Sequence, residues 1–274
     1  MRNDWPAVLI ATVLVIAPLA HAQKIRGMNF AHSLRRDRGY GSNASLESLR
    51  ELQRLGVSSI AITPFGFQKH PGDTDIMWVG HRGSWIGETD SRLRAVARQA
   101  HALRFTVLLK PHLWLRPPEW PGSIDHRTDR EWKAWFASYR RFILHYARLA
   151  EATHVESFSI GNELVLASSR DADWRDLISA VRRVYHGRVT YGANLDEYAD
   201  VPFWDALDFI GNGAYFPITK EKSPSLDALI RAADRSASCR RSQRAPDGRS
   251  FSPSSVIAAA TAPQRNHGSI AGAI

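Results

Sequence analysis

His154-Val155-Glu156-Ser157-Phe158-Ser159-Ile160-Gly161-Asn162-Glu163-Leu164 reads as a short buried strand that ends in Gly-Asn-Glu. A carboxylate just past the C-terminal end of a parallel strand stands on the face where (β/α) barrels gather their reactive groups. Glu163 is therefore the candidate around which the remaining segments serve as scaffold or wall.

Outward from this strand, apolar strand-like runs alternate with amphipathic helices. Ile25–Phe30, Val57–Thr63 and Phe105–Lys110 precede it, and Arg188–Asn194 and Leu207–Asn212 follow it. Leu46, Leu49, Leu52 and Leu55 recur at helical spacing before the stop at Gly56, and Leu93, Val96, Ala100 and Leu103 do so after a cap at Thr89 or Asp90. Thr128-x-x-Glu131 is a capping box. The long helix it opens carries Trp132, Trp135, Phe136, Tyr139, Phe142, Ile143 and Tyr146, whose three- and four-residue spacing assigns most of them to the core. Trp174–Tyr185 and Leu226–Ala233 read as further helices. This repeated order predicts an α/β fold of the (β/α)8 TIM-barrel type, incomplete at about six β/α units. Pro64–Glu88, with Phe65, Phe67, Trp78 and Trp85, is too long and too aromatic for a mere connector.

The 274 residues suit one large barrel or two small domains, and 44% hydrophobic with 23% charged residues is an ordinary globular composition. A net charge of +9 raises nucleic acid as a partner. The basic residues are scattered, however, and no RNA- or DNA-binding motif accompanies them, so no nucleic-acid partner is expected. Residues 1–22 have the form of a secretory signal: Arg2, the fourteen-residue run Ala7–Ala20, and the cleavage motif Ala20-His21-Ala22. The run is short for a membrane span, which needs roughly 20 residues. Export to the periplasm or medium is expected, with no membrane insertion after cleavage. The lone Cys239 can form no internal disulfide. The domain reading is a signal peptide at 1–22, a barrel at 23–235, and a tail at 236–274. That tail is rich in Ser, Arg, Ala and Pro, and has no strand-length apolar run before Val256. It reads as disordered, or as an aberrant, out-of-frame end.

Gly161-Asn162-Glu163-Leu164 resembles the fourth-strand end of the retaining glycoside hydrolases of the large (β/α)8 clan, and is most similar to the family 113 β-mannanase-like group. Arg26–Phe30, Lys110-Pro111-His112, Trp120-Pro121-Gly122 and Asp208–Gly211 with Tyr215 carry the rest of the likeness, which spans residues 24–234. The resemblance implies cleavage of a β-linked, mannan-like polysaccharide or oligosaccharide by double displacement. It makes Glu163 the general acid/base and has Asn162 hydrogen-bond the sugar 2-hydroxyl. It also implies a nucleophile at the end of a seventh strand. No such strand is visible, so the nucleophile reads as lost with the C-terminus, and Asp196 and Glu197 lie after the wrong strand for that role.

Lys110, His112 and Asn194 are candidates to bind sugar hydroxyls, and Tyr215 fits a place that can hold the nucleophile. Trp78, Trp85, Trp114 and Trp120 form a set of loop tryptophans suited to stacking on sugar faces. The eleven histidines share no ligand spacing, and the nucleophile-elbow, phosphate-loop and dinucleotide motifs do not occur, so neither metal nor cofactor is expected. The alternative is an inactive glycan-binding or vestigial cell-envelope protein that keeps the groove without hydrolysis.

Overall fold

A computed structural model describes residues 25–31, 38–79, 82–83, 88–194, 197–213, 219, 223–231 and 256–258. The expected signal segment, Trp85, Asp196, Tyr215, Cys239 and most of the tail lie outside the described residues.

The six expected barrel strands are present as β1 (Gly27–Phe30), β2 (Ser59–Ile62), β6 (Thr106–Leu109), β8 (Ser157–Asn162), β9 (Arg188–Ala193) and β10 (Ile210–Asn212). They lie in one sheet in the order β1-β2-β6-β8-β9-β10, every neighbouring pair parallel. Helices α1 (Asn43–Arg54), α2 (Asp90–Ala102), α3 (Asp129–Ala152) and α4 (Asp171–Arg182) form the connections. This is the (β/α) barrel architecture, incomplete among the described residues. The capping box forms as expected: the Glu131 amide donates to Thr128 Oγ1 at 3.2 Å and the Thr128 amide to Glu131 Oε2 at 3.0 Å.

Three features depart from the sequence reading. The segment from Pro64 to Glu88 is not simply a loop. It supplies β3 (Phe65–Phe67), β4 (Met77–Val79) and β5 (Arg82–Gly83), which join β7 (His112–Trp114) in a second, four-stranded sheet ordered β5-β4-β3-β7. Glycines among the aromatics hid the strand pattern there.

The second departure follows β9. A single 3₁₀ turn, Trp204–Ala206, stands where a helix would pack. Phe203 takes the helix's place in the core by stacking on Trp174 at 5.1 Å, and Pro202 beside it is unsuited to a helix interior.

The third lies in the tail. Val256–Ala258 forms β11, parallel to β10. It pairs the edge of β10, and Val256-Ile257 is the β-branched apolar pair in this stretch. These three residues are the described part of the 236–274 tail, which the sequence reads as disordered or aberrant.

The core nearest Glu163 is aromatic. Trp135 and Tyr139 of α3 stack at 4.7 Å. Tyr139 meets Trp174 of α4 edge-on at 5.7 Å, and Trp174 meets Tyr191 of β9 at 5.3 Å. All four side chains are fully buried. Removing the indole in Trp174→Ala should cost about 3–5 kcal/mol, the range for truncating a buried large aromatic. Denaturant unfolding followed by circular dichroism measures it, and a loss below about 1 kcal/mol would contradict this placement.

Candidate active site

β8 enters the site through Gly161, whose lack of a side chain is required by the aromatic layer. A Cβ there would stand 2.8 Å from Tyr191 Cε2 and 2.9 Å from Trp174 Cη2. Between Ser159↔Thr190 and Asn162↔Gly192, β8 advances three residues (159 to 162) while β9 advances two (190 to 192), which is a β-bulge. The chain then turns at Glu163, whose φ of 58° is left-handed, a conformation that a non-glycine residue holds only when its surroundings enforce it. Two hydrogen bonds to β9 enforce it. The Glu163 amide donates to the Gly192 carbonyl at 2.8 Å, and the Leu164 amide donates to the Tyr191 hydroxyl at 2.8 Å.

This turn gathers four of the candidates. Asn162 and Glu163 are hydrogen-bonded through their side chains. The Asn162 amide group also lies 3.1 Å from His112 Nδ1. Gly192 makes room for it, since a Cβ there would lie 2.4 Å from Asn162 Oδ1. Burial among carbons and Lys110 holds the His112 imidazole far below its ordinary range, at about 3, so it is neutral. An amide nitrogen can only donate, so His112 Nδ1 accepts and its proton resides on Nε2. Lys110, at the end of β6, is the positive charge beside Glu163, and burial pushes its own pKa down. Burial pushes the Glu163 carboxyl above the ordinary glutamate range, opposed by the Lys110 charge and the Asn162 hydrogen bond.

The tryptophan set divides. Trp114 and Trp120 are exposed, at 42% and 45%, and are free to meet a ligand. The Trp120 ring lies over Gly122, whose carbonyl accepts from the Leu166 amide at 3.3 Å, so its loop is tied to the one that follows Glu163. Trp78 is corrected to a core residue: it is buried, packed edge-on against Phe142 of α3 at 5.8 Å, because β4 turns it inward. At Asn194 the structure shows backbone contacts, its amide donating to Glu197 Oε2 at 3.0 Å and its carbonyl accepting from the amides of Glu197 and Tyr198.

Sequence reasoning set Glu197 aside, yet it is 2% exposed and lies in the wall of the same site. It accepts from the Tyr191 hydroxyl and the Asn194 amide, and its own carboxyl is pushed up by burial. No periodicity marks it. A carboxylate three residues beyond a strand looks like any turn residue until the partner tyrosine is placed beneath it.

A half-buried acid of raised pKa, with an amide, a cation and a neutral imidazole around it and two exposed indoles on neighbouring segments, can protonate a leaving oxygen and then deprotonate water. Replacing Lys110 with Met should move the Glu163 titration to still higher pH, because the opposing positive charge is gone. Carboxyl carbon NMR of glutamate-labelled protein measures the two midpoints, and an unchanged or lower one contradicts the link.

The comparisons with known proteins agree with this geometry. The model of Glycoside Hydrolase Family 113 matches residues 28–240. Among solved structures, a complex of a GH113 β-1,4-mannanase is 30% identical with a TM-score of 0.65, covering 81% of this chain and 70% of that one. The GH113 β-mannanase AaManA from Alicyclobacillus acidocaldarius, in complex with ManMIm, is 33% identical with a TM-score of 0.64 over 77% of this chain and 67% of that one. A further GH113 β-1,4-mannanase structure is 30% identical with a TM-score of 0.64, covering 80% and 69%. No curated protein sequence matches the chain.

Proposed function

The chain belongs to Glycoside Hydrolase Family 113, and from that premise we propose that it cleaves β-linked mannan by a retaining double displacement with Glu163 as general acid/base. The observation that carries the assignment is the left-handed turn that ends β8. It sets the Glu163 carboxyl beside Asn162 at the mouth of the sheet, in surroundings that raise its pKa. At neutral pH a carboxyl of ordinary pKa would hold almost no proton to give. Here desolvation favours the protonated acid, while Lys110 keeps the anion accessible for the second half of the cycle.

In the first step Glu163 gives its proton to the glycosidic oxygen as that bond breaks, and a carboxylate nucleophile from outside the described residues takes the anomeric carbon. In the second, Glu163 takes a proton from water, which displaces the nucleophile and restores the β-configuration. Asn162, steadied by the neutral His112, is placed to meet the 2-hydroxyl of the sugar that reacts. Trp114 and Trp120 offer stacking faces to the neighbouring sugars. The β-mannanase neighbours support mannan as substrate. The signal-like segment at residues 1–22 supports action outside the cytoplasm.

Glu163→Gln keeps the shape and removes the proton, so mannan hydrolysis should fall about 10²–10⁴-fold, the usual contribution of general acid–base catalysis. Reducing-sugar release from mannan and mannooligosaccharides measures the rate, and proton NMR of the first product gives its anomeric configuration. A first-formed α-anomer would rule out retention. Binding of mannooligosaccharides without turnover in either protein would favour the glycan-binding alternative.

A further inference from the structure

Glu163 is held by β9 at two consecutive amides, its own and that of Leu164. The first reaches a backbone carbonyl, which any sequence would supply. The second reaches a side chain, the Tyr191 hydroxyl, which in turn donates to Glu197 Oε1. Donation to a carboxylate makes the tyrosine oxygen a better acceptor for the Leu164 amide. The other Glu197 oxygen is fixed by the Asn194 amide at 3.0 Å. On the other side of its residue, the Leu164 carbonyl accepts from the Ser168 amide at 2.8 Å. Leu164 is thus held at both its amide and its carbonyl, and the amide side leads to Glu197. Both oxygens of this carboxylate are engaged and it is sealed from solvent, so it is not placed to attack a sugar.

We propose that Glu197 is a positioning residue that acts through Tyr191 to fix the left-handed turn on which Glu163 stands. The proposal builds on the reading of Glu163 as acid/base and adds what holds it in place. A strained φ persists only where neighbouring bonds outweigh its cost. Without the Tyr191–Glu197 pair the turn keeps one of its two anchors on β9, and the Glu163 carboxyl loses its fixed direction. Among the described residues, the charged and titratable groups facing Glu163 are Lys110 from the end of β6, His112 of β7 through Asn162, and Glu197 with Tyr191 from the β9 side.

The test compares the full chain, labelled with ¹⁵N, with Tyr191→Phe, Glu197→Ala, Glu197→Gln and Glu197→Asp. The first two should speed exchange of the Leu164 amide by about tenfold, as expected when one hydrogen bond of ordinary net strength is lost, and leave β1 and β2 amides unchanged. Glu197→Gln keeps an oxygen for the Tyr191 hydroxyl. It should leave Leu164 protected. Unaltered Leu164 exchange in both Tyr191→Phe and Glu197→Ala overturns the proposal. Acceleration spread evenly over β1, β2 and β9 also overturns it, since the network would then support the whole fold. If those two variants fail to fold, Glu197→Asp decides: it withdraws the carboxylate from the Tyr191 hydroxyl, and an unaccelerated Leu164 amide sinks the idea. These readouts need no substrate, so a lack of mannan hydrolysis would count against the acid/base role alone.

Discussion

Consecutive side chains of a β-strand point to opposite faces of the sheet, yet Asn162 and Glu163 meet at the mouth and share a hydrogen bond. An extended backbone cannot do this. The chain must leave the strand conformation between them, and the left-handed φ of Glu163 is how it does so. The bulge before Asn162 and the bare backbone of Gly161 and Gly192 are consequences of the same demand. The bulge shifts the pairing with β9, and the two glycines let an aromatic ring and an amide approach closely enough to stabilise the turn.

The electrostatics of the mouth follow from what is buried with that turn. Two carboxylates, Glu163 and Glu197, sit near one another, and Lys110 is the cation that acts on Glu163 among the described residues. Desolvation opposes every one of these charges and drives both carboxyls towards their protonated forms, and at Glu197 the neighbouring Glu163 adds to it. Lys110 limits the effect at Glu163. Neutral donors limit it at Glu197, where the Tyr191 hydroxyl and the Asn194 amide both point hydrogens at the carboxyl. His112 adds no charge, and this absence matters. A protonated imidazole could not accept from Asn162, and the amide would lose the partner that directs it.

The repeating part of this architecture was legible in the sequence because it depends on short-range periodicity. The six barrel strands and α1 to α4 lie where apolar spacing and the Thr128–Glu131 cap put them. Glu163 and Asn162 were legible because Gly-Asn-Glu closes a strand. What was not legible depends on pairs distant in sequence. Trp78 looked like a groove residue until β4 paired with β3 and turned it onto Phe142. The second sheet joins β3 to β7, elements separated by all of α2 and β6, and no local pattern announces that pairing. Glu197 was weighed only as a possible nucleophile and dismissed by position. Its connection to Glu163 runs through Tyr191, which a strand pattern records merely as one more inward aromatic.

The aromatic wall explains why such a connection can be rigid. Trp135, Tyr139, Trp174, Phe203 and Tyr191 pass contact from α3 through α4 to β9. Each has few rotatable bonds, and the polar tips found inside the wall are satisfied locally: Tyr139 donates to the Ile160 carbonyl and Trp174 to the Ala167 carbonyl. Ile160 and Ala167 flank the Glu163 turn on either side. The wall therefore fixes the chain just before and just after the catalytic candidate, and Tyr191 with Glu197 fixes it in between. A helix that places aromatics at core spacing thus does more here than fill volume. Its ring edges set the level at which β8 must stop.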